Sequence, residues 1–171
     1  VPTVLRASLT AILPLIETQV VAVTGLSSSQ VYSTAQKNPP IYEGDHVVQI
    51  RPTGFTVQTD QSFPEGRLDT RITRDLAVKV VTRLGLDEPD RDRVWLEDQT
   101  LGHIVLEESV INALQNFWPT DVNGNVLTTN PIQLAPASDP ETEEDEPGWG
   151  SSLVTFQVSY ILPLNQGLTR L

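Results

Sequence analysis

Residues 69–83 read D-T-R-I-T-R-D-L-A-V-K-V-V-T-R. Ile72, Leu76, Val78 and Val80 fall on one side of a two-residue period, with Arg71, Thr73, Asp75 and Lys79 on the other. Successive side chains of a strand point to opposite faces, so this alternation predicts a half-buried strand in an antiparallel sheet. The last ordered stretch, 152–162, repeats the pattern: Val154, Phe156, Val158, Tyr160 and Leu162 inward, Thr155, Gln157 and Ser159 outward. Upstream, His46 to Arg51 predicts another strand, Pro52-Thr53-Gly54 a turn, and Phe55 to Thr59 a return strand. Val31 and Tyr32 are expected to pair briefly at an edge. Asn123-Gly124 predicts a hairpin turn leading into a strand over Val126 to Leu134.

Two segments carry the helical period instead. Leu5, Leu9, Ile12, Ile16, Val20 and Val23 recur at steps of three and four, which predicts an amphipathic helix over 3–24 closed by Gly25. Pro14 should kink that helix or mark a late start near Thr10, since proline removes one backbone bond and crowds the preceding turn. A second helix is expected over 103–117, with Ile104, Ile111, Leu114 and Phe117 on its buried side and Trp118-Pro119 ending it. Strands outnumber helices and cluster as hairpins. The expected fold is therefore α+β: one domain over 1–171, a small mainly antiparallel sheet with two principal helices packed on one face. Polar segments near 27–44 and 139–150 are expected as inserted loops, and 85–99 as a charged connection.

Composition narrows function. Twenty-two acidic residues face eleven basic ones, a formal charge of −11, which argues against a protein that coats phosphate backbones. Six of the acids (Asp139, Glu141, Glu143, Glu144, Asp145 and Glu146) lie within nine residues, so the rest of the chain is at 11 − 16 = −5. The absence of cysteine excludes disulfides, thiolate zinc sites and a cysteine nucleophile. The apolar run Ala11 to Val23 is interrupted by Pro14, Glu17, Thr18 and Gln19, too short and polar for a bilayer span.

Catalytic templates find no match. Gly148-Trp149-Gly150-Ser151 lacks the Gly-x-Ser-x-Gly spacing of a nucleophile elbow. Asp121, Asn123 and Asn125 fit the first ligand positions of a calcium loop, but Val126 and Ile132 stand where glycine and a bidentate Glu are needed. His46 and His103 have no ligand partner at short range, and no phosphate-cradling glycine loop is present. No catalytic residue, metal or cofactor is expected. Features suited to binding are Arg67, Arg71 and Arg74 at a loop–strand junction, with 67 and 71 sharing strand parity and 74 opposite, and Trp95 within a charged run. Arginines so placed serve ion pairs within or between subunits, and a tryptophan so placed is a core plug or an interface anchor.

The ordered layout resembles a known family. The N-terminal helix, the strand I-T-R-D-L-A-V-K-V-V-T-R-L, the connection through V-W-L-E-D, the helix I-V-L-E-E-S-V-I-N-A-L and the closing strand V-T-F-Q-V-S-Y-I-L are similar to the tail terminator (tail-to-head joining, minor tail) proteins of long-tailed double-stranded DNA viruses. The resemblance implies a non-enzymatic virion protein, assembled in the host cytoplasm. It implies a homo-hexameric ring that caps the tail tube, ends its polymerisation and meets a head-completion or neck protein, with DNA passing through unbound. A head-closure or tail-completion adaptor is the neighbouring alternative, and a soluble non-viral binding module the alternative from another class. The acidic stretch 139–146 would then be either channel wall, repelling phosphate, or a solvated loop.

Overall fold

The computed structural model describes residues 3–35, 44–60, 69–84, 93–97, 102–135, 141–146 and 149–163. In chain order the elements are α1 (Leu9–Thr24), β1 (Val31–Ser33), β2 (His46–Asp60), β3 (Asp69–Arg83), a wide helical turn (Arg93–Glu97), α2 (His103–Leu114), β4 (Gln133–Leu134), β5 (Glu141–Glu146) and β6 (Trp149–Ile161). The sheet runs β1-β2-β3-β6, and β4 and β5 both line the far edge of β6. Only β1 pairs in parallel; every other ladder is antiparallel. The fold is α+β, as the alternating segments imply.

β3 is the centre of the sheet and spans the residues its period marks. Its even-numbered side chains meet those of β2 and β6 in the core: Leu76, Val78 and Val80 are buried with Val48, Ile50, Val154, Phe156 and Val158. Ile12, Ile16 and Val20 of α1 and Leu106, Val110, Ala113 and Leu114 of α2 close that core from the same side. Each fully buried aliphatic or aromatic chain of this kind contributes about 2 kcal/mol by leaving water. The opposite face of the sheet carries no helix among the described residues; Arg71, Thr73, Asp75 and Lys79 lie half-buried there.

Several expectations are corrected. Pro52-Thr53-Gly54 is not a turn. It lies inside one 15-residue strand, where the register slips between Pro52 and Phe55. The extra residue makes a bulge, which accommodates a proline that cannot donate to a ladder. α1 starts at Leu9 rather than at residue 3, the late start near Thr10 that Pro14 implies, and Pro14 lies on its exposed side, away from Ile12 and Ile16. The buried stripe of α2 is 103, 106, 110 and 113–114, rotated from the expected one, and the helix ends at Leu114 rather than 117. Val126 to Leu134 is mostly irregular: Val126 makes isolated bridges to Val4 and Thr120, and only 133–134 is strand. The turn before it forms as expected, with Gly124 at φ 83° and its N–H on the Asp121 carbonyl at 3.1 Å. The acidic stretch is not a loop over 141–146; it is a strand paired with 149–153.

Thr128 is buried and its hydroxyl finds no hydrogen-bond partner among the described residues. An unsatisfied buried hydroxyl costs about 1–3 kcal/mol. Thr128→Val, nearly isosteric, is therefore expected to stabilise the fold by about 1 kcal/mol, read as a higher urea midpoint with an unchanged slope.

Candidate functional site

A buried polar cluster joins α2 to the sheet. His103 is the first residue of α2 and falls on its apolar stripe, which aims the ring at the sheet rather than at solvent. Its Nδ1 lies 2.7 Å from Thr82 Oγ1 on β3, and its Nε2 lies 2.8 Å from Ser152 Oγ on β6. His46, opening β2, reaches the same Thr82 hydroxyl at 3.3 Å. Trp95 covers the cluster, stacked on the His103 ring at 3.8 Å and 7°. Three strands, a helix and the 93–97 turn thus meet at one imidazole. Neither histidine suggested a partner in sequence; the available signal was a polar residue at the head of a stripe otherwise filled by Leu106, Val110 and Ala113.

The cluster's chemistry is that of a clamp. Ser152 and His103 stand at the distance of a nucleophile and its base, but the serine is 2% exposed and the histidine wholly buried. The other ring nitrogen meets a hydroxyl rather than a carboxylate, so no buried anion stabilises an imidazolium there. Glu107 Oε2 is 3.9 Å from Nε2. Burial first, and the neighbouring His46 second, lower the His103 pKa from 6.5 to about 4. The unfolded chain therefore takes up this proton before the folded one. The stabilisation is complete above pH 6.5 and is lost as pH falls towards 4, by about 3 kcal/mol. Urea midpoints measured between pH 7 and pH 4 should fall accordingly.

Gly150 sits beneath the same tryptophan. A Cβ there would lie 2.4 Å from Trp95 Cζ3 and 2.8 Å from Leu84 Cδ1. Gly150→Ala must push the indole off its stack with His103. Overpacking of this kind costs about 1–3 kcal/mol, and the loss of Trp95 near-ultraviolet dichroism would report the displaced ring. Gly150 and Ser151 are the second and third residues of a regular strand, so the serine occupies no strained turn.

The binding residues expected from sequence are dispersed. Arg71 and Arg74 lie on opposite faces of β3, as their spacing implies, opposite Gln58 and Phe55 of β2 respectively. Arg74 donates from Nε to Tyr160 Oη and from Nη1 to the Thr53 carbonyl, both at 3.3 Å, and covers the Phe55 ring at 4.6 Å. It braces the bulge and makes no ion pair among the described residues. Trp95 is half-buried against His103 and Gly150. Arg67 and Asp139 lie outside the described residues. Glu141, Glu143, Glu144, Asp145 and Glu146 all fall in β5, on the edge of the sheet remote from β2.

The Asp121 carboxylate closes its own turn. It accepts the backbone N–H groups of Asn123 and Asn125 at 2.9 Å and the Asn125 amide at 3.2 Å. These bonds, that from the Asn125 backbone foremost, hold its pKa below the ordinary value. Among the described residues, no three His, Asp or Glu side chains are grouped to hold a metal ion, and no helix is long and apolar enough to cross a membrane.

The sheet, its two helices and their order define an α+β fold that a solved structure shares. A chain of the virion of a native gene transfer agent particle superposes with a TM-score of 0.54 at 12% identity, covering 91% of this chain and 98% of that one. That likeness establishes the fold. No family model and no curated protein matches the sequence.

Proposed function

We propose that this chain is a non-enzymatic virion assembly subunit, a tail terminator that forms a homo-hexameric ring on the tail tube. The observation that carries the proposal is the fold match to a virion chain over nearly the whole of both proteins. The element order supports it, since helix, long central strand, second helix and closing strand follow the layout of that family. In this role the ring stops tube growth and offers a surface to a head-completion or neck protein. DNA crosses it without being held, in keeping with an excess of eleven acids over bases.

Native mass measurement of the purified chain, alone and with tail tube protein, tests the proposal. A sixfold assembly bound to tube is the expected result. A twelvefold ring that binds no tube would favour a neck adaptor instead, and a monomer indifferent to tube protein would remove the chain from both classes.

A further inference from the structure

The sheet ends in two unlike edges. On one side β1 covers β2 only as far as Ile50. Beyond the bulge, the outer edge of Phe55–Asp60 has no strand partner among the described residues. Phe55 and Val57 stand there 54% and 51% exposed, large apolar side chains on an open edge. Open edges of this kind are usually shortened, charged or covered, because they template pairing with another chain. Asp60, at the end of the strand, is the one acid of β2, and Arg51 precedes the bulge. On the other side lies β5, whose outer edge is also unpaired among the described residues and whose six residues, E-T-E-E-D-E, include five carboxylates.

We propose that the occupant of the β2 edge is β5 of a second copy of this chain, so that copies join head to tail into one continuous sheet. Strand direction favours it. β2 and β6 run the same way, each antiparallel to β3, and β5 runs against β6. Copies related by a ring axis keep one sense, so β5 of one copy meets β2 of the next antiparallel. The up–down alternation then continues unbroken through every junction. The lengths also match, six residues on each side.

Charge selects this pairing over the pairing of two β5 edges. Two β5 edges side by side would set ten carboxylates together, and like charges across a ladder repel. The β2 edge holds one acid, Asp60 at its end, and the adjacent strand sets Arg71 and Arg74 beside Asp69 and Asp75, so β5 meets far less negative charge there than against a second β5. A contact between two different surfaces is heterologous, and it generates rings when its rotation closes. Thr142 of β5 lies across the sheet from Val48 of its own β2, whereas a six-on-six antiparallel pairing with Phe55–Asp60 sets it opposite Thr59 of the next copy. Successive copies therefore step by about 33 Å along their strands. Such a step tilts the strands, as closure of a sheet on itself requires. The five carboxylates thus become a specificity device at a subunit junction rather than a channel wall.

The inference rests on the ring-forming function proposed above, yet it fails separately from it. The chain has no cysteine, so engineered pairs report without background. Gln58→Cys and Thr59→Cys, one for each strand parity, are each combined with Thr142→Cys in the full chain. Within one subunit these positions are three strands apart, at least about 14 Å, beyond the reach of a disulfide near 7 Å. The expected result is a ladder of oxidised multimers from one or both double variants and none beyond dimer from the single variants. Glu143→Lys with Glu144→Lys should raise the concentration for half-assembly about tenfold at low salt. Rings of native mass that yield no ladder would overturn the edge pairing and leave the ring standing. A ladder from a protein that never binds tube would do the reverse. A chain that stays monomeric would overturn the pairing outright.

Discussion

Phe156→Ala is expected to cost about 4 kcal/mol. Phe156 lies at the middle of β6, wholly buried, and its neighbours in register are Leu76 on β3 and Leu134 on β4. The ring fills the space between the sheet and both helices, and Ile16, Val20, Val110 and Leu114 belong to the same core. Truncation removes transfer energy and leaves a cavity that an antiparallel sheet pinned on both sides cannot collapse. A domain of this size holds about 5–15 kcal/mol in all, so the variant would stand near the limit of folding. Thermal unfolding should show its midpoint lowered by about 12 °C. A drop of only one or two degrees would mean that the core of β6 is not packed as described.

His103→Ala is expected to cost nearly as much, about 3–4 kcal/mol, by a different route. The variant empties a ring-sized space under Trp95, and Ser152 loses the bond that His103 made. Thr82 keeps only its longer contact to His46. His103→Phe separates the two effects. It retains an aromatic surface for the stack but strands the Ser152 hydroxyl and leaves Thr82 only its contact to His46, so about half the loss should remain. It also removes the proton whose uptake is disfavoured in the fold. The stability of His103→Phe should therefore change less between pH 7 and pH 4 than that of the parent chain. An acid limb identical in both proteins would assign the acid sensitivity to other groups.

The sheet was legible where side chains alternate against a single buried face. β3 and β6 meet that condition over thirteen paired positions, and their two ends follow from the sequence to within a few residues. β2 did not, because Pro-Thr-Gly is equally good turn chemistry and bulge chemistry. Only the partner strand decides between them, and β3 has one residue, Asp75, opposite Thr53 and Gly54. β5 was hidden for a related reason. Glutamate-rich segments have weak strand preference, and this one is strand because 149–153 offers it a ladder. The clamp at His103 was invisible because its members, at positions 46, 82, 95, 103 and 152, become neighbours only once three strands are in register. Arg71 and Arg74 could be assigned to opposite faces from spacing alone. That Arg74 braces the bulge beside Phe55 could not, since the bulge itself was unseen.

The central claim, that this fold serves to end a tail tube, is tested most directly by tube length. Tail tube protein is allowed to polymerise with increasing amounts of the purified chain, and the lengths are measured by electron microscopy. The account predicts shorter tubes as the chain is added, each bearing a ring of this protein at one end. Tubes of unchanged length with bare ends, in the presence of folded and soluble chain, would contradict it.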